Sequence, residues 1–149
     1  MARSTRLILA IALLIALTMA TVASTTAGGR KVLDASMAGL PVPGTVLDGL
    51  TGGGAPWVID QGNVQLFADG RLHVEVEGLI IPALGRNPVA QGKAIVTCGG
   101  APVAETGLVP FSEAGDAEID AVVDLPDLCQ GVAVFFTNAT NRWFAVTGF

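Results

Sequence analysis

Residues 63–77, NVQLFADGRLHVEVE, hold two runs of alternating apolar and polar side chains separated by Asp69-Gly70. A period of two belongs to strands with one dry face and one wet face, so this stretch predicts an antiparallel hairpin. The apolar pattern also selects its register. A two-residue turn at Asp69-Gly70 sets Gln65 opposite Val74 and mixes the faces. A three-residue loop, Ala68-Asp69-Gly70, sets Leu66 opposite Leu72 and Val64 opposite Val74, and puts Gly70 where a left-handed backbone is needed.

Similar signals recur from residue 56 to the end of the chain: WVID, GKAIVTC, PVAETGLVPF, AEIDAVVDL, VAVFFT and WFAVTGF, separated by Gly, Pro, Asn and Asp. In AEIDAVVDL, Ile119, Ala121, Val123 and Leu125 share one side. Some seven or eight short strands without an amphipathic helix predict an all-β, antiparallel two-sheet sandwich of Ig-like architecture over residues 56–149. A small closed β-barrel is the alternative. Residues 31–54, rich in Gly with Pro41 and Pro43, show no sustained periodicity, so 28–55 reads as a Gly/Pro-rich tether or cover segment. Leu33, Leu40, Val46, Leu47 and Leu50 leave part of it able to dock.

The chain starts with Arg3 and Arg6, an apolar run from Leu7 to about Ala20, and then small residues, the order of a secretory signal peptide over residues 1–27. Cleavage after Ala23 or after Ala27 satisfies the small-residue rule equally; an uncleaved membrane anchor is the competing reading. Removal of 1–27 leaves six of eight basic residues and all thirteen acidic ones, a formal charge of −7. Such a chain repels phosphate backbones, which argues against nucleic acid as a partner. In an exported domain, Cys98 and Cys129 have one pairing available and are expected to form a disulfide. By the chain-entropy argument, closing a loop of about 30 residues stabilises by roughly 3–4 kcal/mol.

GGGAPWVIDQGNVQLFADGRLHVEVEGLIIP, one cysteine after GKAIVTC, VPFSEAGDAEI, and a second cysteine after a proline together resemble a family of small exported bacterial proteins of unknown function. The resemblance spans about residues 52–149 and brings no activity, substrate or cofactor with it.

His73 is the single histidine; Glu75 and Glu77 follow on the same strand face, while Leu72, Val74 and Val76 take the other. Successive members lie about 7 Å apart, a partial ligand set for a divalent metal. A half-buried strand also requires such a polar face with no ligand at all. Ligands on one strand diverge unless a neighbouring strand supplies more. A lone imidazole excludes zinc sites that need two or three, and cysteines 31 positions apart do not make the Pro-Cys-x-x-Cys of zinc deaminases. Asp116, Glu118, Asp120 and Asp124 suggest a second acidic face, but without the spacing of a calcium-binding loop.

No Gly-x-Ser-x-Gly, Ser-x-x-Lys or phosphate-binding loop is present, and no cofactor is implied. The C-terminal hairpin carries Phe135, Phe136, Trp143 and Phe144 on both faces. Such strands are either covered on both sides or form a partner surface together with Trp57. Asn138-Ala139-Thr140 matches a glycosylation acceptor and equally suits a turn. The expectation is therefore a non-catalytic extracytoplasmic binding or structural module, whose partner is a protein or an envelope ligand. It meets a membrane only if the leader is uncleaved. The alternative is a small hydrolase or metal-dependent enzyme using strand-face carboxylates with His73.

Overall fold

The computed structural model describes residues 29–148. The leader expected over 1–27 lies outside them. Among the described residues every element is a strand: β1 (Lys31–Gly39), β2 (Val46–Leu47), β3 (Leu50–Thr51), β4 (Gln61–Phe67), β5 (Arg71–Glu77), β6 (Gln91–Cys98), β7 (Ala101–Glu105), β8 (Val109–Pro110), β9 (Ala117–Val122), β10 (Ala133–Thr137) and β11 (Trp143–Thr147). WVID forms no strand; Val58 makes only one isolated bridge, to Ile80.

The hairpin register follows the apolar pattern. Leu66 pairs with Leu72 and Val64 with Val74. Gly70 has φ 86°, and its amide donates to the carbonyl of Phe67. A Cβ at Gly70 would also collide with the Val123 carbonyl, and the Val123 amide donates to Gly70 at 2.9 Å. The glycine thus closes the hairpin and lets the segment after β9 pass close by.

The strands run in the order β7-β6-β10-β11-β1-β4-β5-β9, all antiparallel, with β8 beside β6 and β2-β3 a separate small hairpin. The result is one curled sheet, a half-barrel, rather than two separate sheets or a closed barrel. Its hinge is β1, whose residues 31–36 pair with β4 and whose residues 37–39 pair with β11.

This corrects the reading of 28–55 as a tether or cover throughout. Residues 31–39 are an interior strand of the sheet. Period two is present, with Leu33, Ala35 and Met37 facing in and Asp34 and Ser36 exposed. Small residues give it a weak apolar signal, and a bulge between Lys31 and Leu33 breaks its phase. Residues beyond it do form a cover: Asp48 accepts a 2.7 Å hydrogen bond from the Thr97 hydroxyl, Trp143 Nε1 donates to the Thr45 carbonyl at 3.2 Å, and Leu50 is buried.

The concave face holds the core. Val64, Leu66, Val74, Val76 and Ile119 from one half meet Val96, Val134, Phe136 and Phe144 from the other, and Trp57 stacks on Phe144 with centroids 4.1 Å apart. A Cβ at Gly92 would enter the Phe136 ring, so glycine there makes room for the aromatic. Phe111 meets Phe136 edge-on at 5.0 Å.

Phe135 and Trp143 point to the convex side, edge to face at 5.7 Å, and lie under the cover. Phe135, Phe136, Trp143, Phe144 and Trp57 are all buried. The alternative that made them a partner surface is thereby corrected: they are core on both faces of covered strands. Cys98 and Cys129 are bonded, with Cα atoms 5.1 Å apart. The bridge ties the end of β6 to the connection between β9 and β10.

Candidate functional site

The convex face of the β1-β4-β5-β9 half is built in rows by the strand register. One row reads Asp34, Gln65, His73, Asp120; the next reads Ser36, Asn63, Glu75, Glu118. Every member is polar because its neighbours along each strand face the core. Beyond His73 toward the loop lie Phe67, Arg71 and Val122, which with His73 and Asp120 line a shallow open groove.

His73 is half-buried. Its Nδ1 lies 2.7 Å from Asp120 Oδ1, with side chains 35% and 72% exposed. One tautomer makes Nδ1 the donor, leaving Nε2 free toward solvent. Donor atoms of His73, Glu118 and Asp120 all lie within 4.8 Å of one another, the group of this kind found among the described residues. It differs from the set expected from β5 alone. Glu75 sits in register with Glu118 and outside the group, and Glu77 pairs with Gln61 further along. Side chains on one strand diverge, and β9 supplies the converging pair.

The acidic stretch is likewise divided. Glu118 and Asp120 lie within β9, whereas Asp116 precedes it and Asp124 follows it. Asp116 accepts a hydrogen bond from the Gly78 amide at 3.0 Å, which makes it part of a turn. Asp60, Glu75, Glu77, Asp116 and Glu118 line a second open depression with no basic side chain in its wall.

The basic groups of this face are engaged elsewhere. Lys31 bonds Asp34 at 2.7 Å. Arg71 bonds Asp69 at 2.9 Å and its guanidinium lies 4.4 Å from the Phe67 ring centroid. The Arg71 hydrogen bonds hold the Asp69 carboxyl below its ordinary range. On the other half, Lys93 is nearly buried and bonds Glu105 at 2.7 Å.

Chemically, the face offers an imidazole beside a carboxylate, the arrangement that orients a general base. The groove beside it contains no hydroxyl or thiol, so no serine, threonine or cysteine nucleophile lines it. At the far hairpin tip, Asn138 Oδ1 accepts from the amides of Thr140 and Arg142 and from the Thr140 hydroxyl, which is turn chemistry. Buried Asn87, which the sequence reading passed over, bonds the Val89 backbone in both directions and donates to the Ser112 carbonyl. It fastens the loop before β6 to the loop after β8, a structural duty. Among family models, curated proteins and solved structures, none matches this chain.

Proposed function

We propose that this protein is a non-catalytic binding or structural module that works outside the cytoplasm. The observation that carries this reading is the open convex face: its sole imidazole is paired with a carboxylate on a broad polar surface, with no hydroxyl or thiol in the groove alongside. Serine and cysteine hydrolases, which work through an acyl-enzyme intermediate, need that third member. Export is supported by the leader pattern of residues 1–27 and by a disulfide compatible with an oxidising compartment.

Two measurements test it together. Purified protein is assayed against chromogenic esters, glycosides and phosphate esters, alongside His73→Ala and Glu75→Ala variants. The module reading expects no turnover above buffer and a retained fold, read by circular dichroism, for both variants. Turnover that disappears in His73→Ala while the fold persists overturns it in favour of a small hydrolase or metal-dependent enzyme.

A further inference from the structure

We infer that His73, Glu118 and Asp120 form a surface site for a divalent metal ion of the zinc type, held between β5 and β9. Three donors of mixed nitrogen and oxygen character come within 4.8 Å of one another from two adjacent strands. His73 Nδ1 and Asp120 Oδ1 are already 2.7 Å apart. An ion bound there occupies the position of the proton between those atoms: the neutral ring binds it through Nδ1, and its single proton moves to Nε2.

The charge pattern of the register points the same way. Glu75 and Glu118 are direct cross-strand partners, an arrangement that is unfavourable for like charges. His73 can offset one carboxylate, Asp120, and leaves this pair unneutralised. Lys31 and Arg71 are held by Asp34 and Asp69. A divalent ion on the row of His73 supplies the missing positive charge.

The donor set selects the metal. Imidazole suits zinc, copper and nickel, whereas calcium takes six to eight oxygens. Three protein ligands on an open face leave coordination positions for water or for a carboxylate from another molecule. The inference is independent of the module reading, since an ion can sit here whether or not the protein turns anything over.

The test uses protein without added histidines, titrated with Zn2+ alone and, separately, Ca2+ alone. Calorimetry is expected to show one Zn2+ per chain, bound tighter than roughly millimolar. Because His73 is the only imidazole in the chain, its ring resonances in the wild-type protein report the event directly and are expected to shift to saturation at the same stoichiometry. His73→Ala and Asp120→Asn, each checked for an unchanged circular dichroism spectrum, are expected to weaken binding at least about tenfold. Glu77→Gln is expected to leave it unchanged. No binding tighter than millimolar, no movement of the His73 ring signals, or Zn2+ binding that survives His73→Ala in a folded protein overturns the site. Ca2+ binding in preference to Zn2+ also overturns it, reducing the face to a diffuse counterion surface.

Discussion

The convex faces of the two halves belong to one hydrogen-bonded sheet and are treated in opposite ways. On β4, β5 and β9 the face is Gln65, Asn63, His73, Glu75, Glu118 and Asp120, open to water. On β6, β10 and β11 it is Ile95, Phe135, Trp143 and Val146, all buried. The cover makes the difference: residues 45–50 lie over the second face and bond Thr97 and Trp143. A short run of chain is enough to convert half of a two-faced sheet into a structure with a second core layer. The uncovered half keeps the polar groups available for binding.

The largest effect that can break this contrast is Phe135→Ala. Deleting a buried aromatic from the covered half is expected to cost about 3–5 kcal/mol in urea-induced unfolding. Glu75→Ala on the open half should move the midpoint little. Near-equal losses would mean that the two faces do not differ as described. Next comes the Cys98→Ser/Cys129→Ser double variant, expected to lose about 3 kcal/mol by the same assay because the crosslink restricts the unfolded chain.

Gly70→Ala tests the open half at a tight spot of its hairpin. A left-handed backbone and the neighbouring Val123 carbonyl predict a loss of roughly 1–3 kcal/mol, measured from the thermal midpoint. Glu75→Gln sharpens the contrast with the opposite sign. Removing one charge from the Glu75 and Glu118 pair is expected to stabilise the metal-free protein by about 0.2–1 kcal/mol, read in the presence of a chelator.

The smallest effect is the pH dependence of the hairpin end. Asp69 has its folded pKa lowered by Arg71. Its contribution is therefore present above the unfolded-chain value and lost as pH falls through the lower folded value. Melting curves of wild-type protein and Asp69→Asn are expected to differ at neutral pH and to converge in acid.

Much of the fold was legible because local patterning dictates it. The register of β4 and β5 follows from where Val64, Leu66, Leu72 and Val74 can be dry together. The inward set of β9 and the position of the disulfide follow from alternation and cysteine count. β1 was not legible, because Ala35, Ala38 and Gly39 are weakly apolar and a bulge interrupts its phase. Nor was the fate of the C-terminal aromatics, since an alternating code cannot say whether a second apolar face has a cover. The candidate site was half legible: His73 stood out as the sole imidazole, but its converging partners lie 45 and 47 positions away, on Glu118 and Asp120.

By itself the sequence determined the strands of period two, the turn that Gly70 allows, the outward set of polar residues and the single available cysteine pairing. These depend on side-chain alternation and backbone sterics over a few residues. Only the tertiary structure decided that β1 joins the halves, that residues 45–50 shelter Phe135 and Trp143, and that β9 lies beside β5 to bring Glu118 and Asp120 to His73. Each of these is a pairing between segments distant in the chain, and what selects it is the burial available once the whole sheet has curled.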